Sequence, residues 1–237
     1  SEGAGFRENF GTMTKPFHAG RAAHAGVIAA RLAAAGFTAS PDALEHALGF
    51  LAAVSPGGKA DRTSPTRIGR DWHILSQGLS VKKYPLCYCT HRALDGMLDL
   101  LRAEAVKPED VKSVTVSTSR RNATVLRNSR PQTGLEAKFS MQFAMACAIS
   151  QRRVGLAELT DAVVQRPEIQ GLLPRVTVVP DDREDPVRTG YAPYDLVTIE
   201  TTGGRRLESA RVTEERGSPH LPLSGDELWV KFEGCLA

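Results

Sequence analysis

The stretch Asn9-Phe10-Gly11-Thr12-Met13-Thr14-Lys15-Pro16-Phe17-His18-Ala19-Gly20-Arg21-Ala22-Ala23 decides how the rest of the chain is read. It sets Lys15 and His18 three residues apart, beside Pro16, at the mouth of an Ala-rich helix. A helix start carries unpaired backbone N–H groups and a partial positive charge. Lys15 and a protonated His18 would add to both, which suits a carboxylate. The same spacing also describes a solvated lysine beside a capping histidine, and the residues alone leave both readings open.

Downstream of this stretch the pattern is helical. Arg21 to Ala35 is Ala-rich, has Val27, Ile28 and Leu32 at helical spacing, and ends at Gly36. Ser40-Pro41-Asp42 reads as the cap and first turn of a second helix through Val54, with Leu44, Leu48 and Leu51 as its apolar stripe. Residues 55–65 read as a loop and residues 72–79 as irregular or extended chain. A helix is expected from Thr90 to about Ala105, with Leu94, Met97, Leu98 and Leu101 on one face. Val111 to Thr118 alternates as a strand, and residues 119–139 read as a long Arg-rich loop.

Ser140 should cap a helix to Gln151, with a shorter helix between Gly155 and Gln165. Strands are expected at 175–179, 196–201 and 206–212, the last two joined at Gly203-Gly204. A final helix spans 224–235 and has Asp226 and Glu227 in its first turn. The strands cluster between residues 80 and 213 with helices outside them. That order predicts an α+β fold, with an α+β domain inserted between helical pieces.

Composition narrows the function. The net charge of +3 over 237 residues, with no basic block interleaved with aromatics, does not suggest nucleic acid. No apolar run approaches the ~18 residues of a membrane span. Cys87, Cys89, Cys147 and Cys235 fit no zinc or iron–sulfur spacing, and are read as free buried thiols in a reducing cytoplasm. No Gly-rich dinucleotide loop follows a strand, so no metal or redox cofactor is expected.

The opening stretch resembles the G-T-M-T-K-P-x-H-x-G-x-A-A motif of the MmgE/PrpD family. Three further segments are similar to that family in the same order: Lys82-Lys83-Tyr84-Pro85-Leu86-Cys87 with Thr90-His91 and Asp95; Glu136-Ala137-Lys138-Phe139-Ser140; and Gly217-Ser218-Pro219-His220 with Pro222-Leu223-Ser224, Glu227-Leu228 and Lys231-Phe232. The family includes 2-methylcitrate dehydratases of propionate catabolism, cis-aconitate decarboxylases and iminodisuccinate epimerases. Its members are roughly twice this long. The resemblance implies a piece of a longer chain, only the C-terminal half, without the helical half that supplies acidic and histidine catalytic residues.

The resemblance also implies an all-α domain interrupted by an α+β lid, here 1–78 with 214–237 around 79–213. It implies a cofactor-independent hydro-lyase on a small di- or tricarboxylate, with an epimerase, a decarboxylase or a non-catalytic dimerisation fragment as alternatives. Such chemistry needs cations for the carboxylates, a base for the proton alpha to one of them, and an acid for the departing hydroxyl. By resemblance Lys15, Lys82 and Cys87 carry catalysis, and His18, Lys82 and His91 bind substrate, with Lys15 and Lys82 bordering one cleft. Some members have histidine at the position of Cys87, which departs from the decarboxylase pattern. Lys82 is preferred to Lys83 because its spacing to Cys87 matches. Glu136 and Lys138 read as a cap and a surface ion pair, and Arg120, Arg121, Arg127 and Arg130 as a basic loop. A cytoplasmic homodimer is expected. Alone, the chain should be inactive as a lyase and should self-associate.

Overall fold

The structure is a computed structural model, and it describes residues 5–55, 57, 69–70 and 72–236. The chain divides into two compact units: residues 1–9 with 13–78, and residues 10–12 with 79–237. Of the loop expected over 55–65, residues 56 and 58–65 lie outside the described residues.

The first unit is built on α1 (Thr14–Ala34). This helix starts seven residues before the expected Arg21, because Pro16 sits in the first turn, where its missing N–H costs nothing. At the other end Gly36 takes φ +87°, Gly36 N–H donates to Ala33 O at 3.0 Å, and Phe37 N–H donates to Leu32 O at 2.9 Å. These two bonds close a Schellman motif, which stops the helix. None of the residues of α1 is buried, and Val27, Ile28 and Leu32 are 53%, 42% and 43% exposed.

The second helix is much shorter than expected: α2 covers only Phe50–Val54. The Ser40 hydroxyl donates to Asp42 Oδ1 at 2.6 Å instead of accepting a first-turn N–H. Gly49 is extended at φ −85°, ψ −173°, so the chain makes one turn, breaks and restarts. Residues 73–77, expected to be irregular, form the short helix α3 (His73–Gln77).

The second unit holds α4 (His91–Ala103), β1 (Val111–Ser119), α5 (Arg120–Val125), α6 (Gly134–Ala137), α7 (Met141–Gln151), α8 (Asp161–Val164), α9 (Pro167–Leu172), β2 (Val176–Asp181), β3 (Leu196–Thr201), β4 (Arg206–Glu208) and α10 (Gly225–Glu233). The strands form one sheet in the order β2-β1-β3-β4. β1 and β2 are parallel and the other pairs antiparallel, with Val114 opposite both Val176 and Ile199. A parallel pair needs a crossover connection. Here it carries α5 to α9, so the expected long loop 119–139 contains two short helices. Neither has apolar periodicity. Each is instead started by a side-chain cap, with Ser119 accepting from Asn122 N–H and Thr133 from Glu136 N–H. The strand expected over 206–212 ends at Glu208, and Val212 returns only as an isolated bridge to Asp195.

The core lies between this sheet and two helices. The expected face of α4, with Leu94, Met97, Leu98 and Leu101, is buried. α7 is buried nearly all round, from Met141 through Ile149, and Ser140 caps it by accepting from Phe143 N–H at 3.0 Å, as expected. Gly134 has no room for a side chain, since a Cβ there would overlap Leu159 O.

One ion pair sits inside the unit. Arg92 Nη2 lies 2.9 Å from Asp195 Oδ1, with the two side chains 4% and 0% exposed. Thr118 Oγ1 donates to Asp195 Oδ2 at 2.9 Å, and Asn122 Nδ2 donates to Thr118 Oγ1 at 3.1 Å. Burial outweighs Arg92 and the Thr118 bond, and pushes the Asp195 carboxyl up to about 6. The folded chain therefore keeps this proton up to a higher pH than the unfolded chain, where an Asp releases it near ~3.9. The corresponding contribution to stability is full below the unfolded value and is lost as pH rises through about 6. Asp195→Asn should cost less at pH 7 than at about pH 4, because the raised value means that the buried carboxylate is less favourable than its neutral form even beside Arg92. The difference should reach up to about 3 kcal/mol, since only the wild-type chain loses stability as pH rises from the unfolded value through about 6. Urea unfolding at both pH values measures this.

Candidate functional site

In the first unit, Lys15 lies in the first turn of α1 and is exposed, and His18 follows one turn later and is half-buried. The residue before the helix is Met13, whose side chain caps nothing. The first-turn N–H groups thus keep their capacity for an external acceptor. Lys15 makes no side-chain hydrogen bond or ion pair among the described residues. A side chain at Gly5 would overlap the His18 ring, so the chain entering the helix runs close beside that histidine.

In the second unit three of the sequence motifs come together. The Phe10 ring stacks on Phe139 with centroids 4.6 Å apart. Gly11, at φ +88°, leaves only 2.6 Å between a built Cβ and Asn128 Nδ2, and Asn128 donates to Glu136 O at 3.0 Å. Cys87 N–H donates to Lys138 O at 2.8 Å. The Lys82–Cys87 loop and Phe10-Gly11 are therefore both anchored on the 136–139 turn. Glu136 acts as a cap, accepting from Gln132 N–H at 2.7 Å.

The two adjacent lysines are held differently. Lys82 is exposed, and its ammonium donates to Leu86 O at 2.9 Å, closing its own loop. Lys83 is taken by Glu227 at the start of α10, where Glu227 also accepts from Ser224 N–H at 2.9 Å. Its hydrogen bond from Lys83 is the main reason that the Glu227 carboxyl lies below the usual range. Tyr84 is buried and donates to Asp95 Oδ1 at 2.8 Å, and burial pushes its phenol far up.

Cys87 and Cys89 are free thiols at half-buried positions. The hydrogen bond between the two thiols and burial together push Cys89 well above the ordinary thiol range. Of the expected buried cysteines only Cys147 is buried, while Cys235 is exposed because it follows α10, a helix with no buried residue.

His91 is fully buried, with its ring against Tyr84 (centroids 5.2 Å) and Tyr88 (4.8 Å). It lies behind the Lys82 loop rather than at the surface, where a substrate-binding role had been expected. Burial, and then the Lys82 charge, push it down to about 3.

The basic loop is dispersed. Arg120 pairs with Asp182, and the Arg121 guanidinium lies 4.8 Å from the centroid of the Tyr191 ring. Residue spacing gave no sign of the Arg92–Asp195 pair or of Glu227 as the partner of Lys83, since the partners lie more than a hundred residues apart. Only the Ser224-x-x-Glu227 capping box, legible as such, marked that helix start. Among the described residues, no three His, Cys, Asp or Glu side chains could hold a metal, and no helix is long and apolar enough to cross a membrane.

The second unit is an α+β domain that gathers three of the sequence motifs around a lysine-bearing turn. Residues 84–237 match the MmgE/PrpD C-terminal domain and residues 1–63 the MmgE/PrpD N-terminal domain, and the chain belongs to the MmgE/PrpD family. The second match corrects the expectation that the N-terminal half has no counterpart here: the Lys15 segment is N-terminal-domain sequence. Among curated relatives, cis-aconitate decarboxylase of Homo sapiens is 25% identical over 229 residues, covering 94% of this chain and 46% of its own length. The Mus musculus cis-aconitate decarboxylase is 24% identical over 232 residues, with the same coverage. The chain spans about half the length of the curated relatives it matches.

The electrostatics of His91 give a direct test. An imidazole held near 3 should stay neutral, so its ring signals should not titrate between about pH 5 and 8 in NMR spectra of the chain. Its contribution to stability is present above the unfolded value of ~6.5 and is lost as pH falls toward the folded one. A midpoint near 6.5 would contradict the buried placement.

Proposed function

We propose that this chain is part of a cofactor-independent lyase acting on a small di- or tricarboxylate such as 2-methylcitrate, and that it works as a hydro-lyase. The observation that carries the reading is the contrast between the neighbouring lysines. Lys83 is bound to Glu227 of α10, whereas the exposed Lys82 bends its ammonium back onto the Leu86 carbonyl, within the turn that also carries Cys87. Lys82 is assigned to hold a carboxylate, and so is Lys15, at the start of α1, supported by the helix-start N–H groups and by His18. Cys87 is assigned to the reacting end of the substrate. His91 acts on the substrate only through the loop that it supports. The general acid and base are not assigned within this chain.

A decarboxylase is the second reading, because both relatives named above are cis-aconitate decarboxylases. Cys87, standing where the family's decarboxylase pattern has histidine, favours dehydration. An epimerase would need only the acid and base moved on the same scaffold. We further propose a cytoplasmic homodimer in which residues 214–237 belong with 1–78 as a helical domain around the 79–213 lid. The apolar exposure of Leu228, Trp229, Val230 and Phe232 on α10 supports that grouping. Several hundred Å² of such surface corresponds to ~10 kcal/mol of unrealised burial at ~25 cal/mol per Å², so the chain alone should self-associate. Light scattering across concentrations tests this, and a strictly monomeric chain would count against it.

Calorimetric titration with tricarballylate, a stable tricarboxylate, tests the site. Lys82→Ala should weaken binding by about 10- to 100-fold, the size of one charge-assisted hydrogen bond. Lys83→Ala should change it less than about twofold and cost ~0–1 kcal/mol of stability, as for an exposed ion pair. Equal losses in both variants would sink the assignment. Product analysis with 2-methylcitrate and cis-aconitate then separates dehydration from release of carbon dioxide.

A further inference from the structure

The second unit has a cavity that is lined by none of the residues assigned to the polycarboxylate. Tyr88, Cys89, Arg92, Asn122, Asp195 and Glu215 form its walls, and it offers about 290 Å³ of empty space, mouth included. That falls just short of the ~300–1,000 Å³ of pockets for drug-sized ligands, so only a small molecule suits it. Four polar atoms of these residues have no hydrogen-bond partner among the described residues: Tyr88 Oη, Arg92 Nη2, Asn122 Oδ1 and Asp195 Oδ1. All four atoms are buried, and Arg92, Asn122 and Asp195 are 4%, 3% and 0% exposed as whole residues. The 2.9 Å contact of Arg92 with Asp195 is one of charge, without hydrogen-bond alignment. Buried polar groups left unpaired are costly, and four around one cavity call for an explanation.

The network behind the walls fixes which atoms are left over. Thr118 Oγ1 gives its proton to Asp195 Oδ2, so its own oxygen accepts from Asn122 Nδ2. That sets the Asn122 amide with its oxygen unspent, and leaves Asp195 with its other oxygen unspent. Burial pushes the Tyr88 phenol up to about 12, so it keeps a proton to donate. The set is two acceptors, one donor and a phenol that serves as either. A primary amide is its complement, with two N–H donors at one end and a carbonyl with two lone pairs at the other. Charge points the same way. Arg92 opposes a cation, and Asp195 and Glu215 oppose an anion. Tyr191 and Cys89 complete the wall without charge.

We propose that this cavity binds a small neutral molecule carrying a primary amide. Its NH₂ group donates to Asn122 Oδ1 and Asp195 Oδ1, and its carbonyl accepts from Tyr88 Oη and Arg92 Nη2. The site stands apart from the polycarboxylate reading, because the two share no residue.

Acetamide, acetate and acetamidinium have the same shape and differ in charge, so titrating the full chain with each tests the site. A ligand this small binds weakly, with a dissociation constant on the order of 1–10 mM. In proton–nitrogen NMR spectra acetamide should give saturable shifts at the backbone amides of Tyr88, Cys89, Asn122 and Asp195. Acetate and acetamidinium should bind at least about tenfold more weakly, since each brings a like charge to the wall and loses half of the donor–acceptor match. Tyr88→Phe removes one hydroxyl and should weaken acetamide by about three- to tenfold, the size of one hydrogen bond. Shifts that stay linear in acetamide mean that water alone fills the cavity, and overturn the proposal. Acetate or acetamidinium binding as tightly as acetamide overturns it too, as does unchanged affinity in a folded Tyr88→Phe chain. Should that variant not fold, the three probes on the wild-type chain decide.

Discussion

Arg92 cannot be buried without Asp195, and much of the α+β unit is arranged around that requirement. A guanidinium taken out of water needs a counter-charge and acceptors for its remaining N–H groups. Asp195 supplies the charge, and the carbonyls of Ala192 and Thr213 supply acceptors, at 3.1 Å and 3.4 Å. The carboxylate is completed by Thr118 on β1, which Asn122 on α5 addresses in turn. One pair thus ties α4 to the end of β1, to the helix that follows it, and to the chain entering β3. Meeting these demands in another packing would be costly, so the pair fixes the arrangement more than it adds to its stability.

The parts of this fold that could be read in the sequence are those whose signal is local. α4 has its apolar face, α7 its apolar residues and its own Ser140 cap, and Gly203-Gly204 turns β3 into β4 without reference to anything distant. What could not be read is set by distant partners or by single polar atoms. The helix expected through residue 54 fails because Ser40 prefers Asp42 to a backbone N–H and because Gly49 breaks the turn. α5 and α6 are too short and polar to show a period, and stand because one hydroxyl caps each of them.

The site divides along the same line. The motif order marks Lys15, Lys82 and Cys87, and the structure describes where each stands within its own unit. The family resemblance preferred Lys82 to Lys83 by its spacing to Cys87; what separates the two lysines in the fold is Glu227, which pairs with Lys83 from more than 140 residues further on. His91 is a different case. The family resemblance assigned it to substrate binding, and the turn that precedes it folds back over the ring. Exposure depends on what covers a residue, and no local pattern reports that.

The sheet's margins also bear on how copies of the chain can meet. Its outer strands are poor templates for another strand: β2 carries Pro180 and Asp181 at one end, and β4 is three residues long with Arg206 and Glu208 exposed. Proline offers no N–H, a three-residue edge offers few groups, and the flanking charges resist being sandwiched. Amyloid-like lateral growth through the sheet is therefore discouraged from both sides. That leaves the helical surfaces as the places where copies of the chain could meet through selective and reversible side-chain contacts.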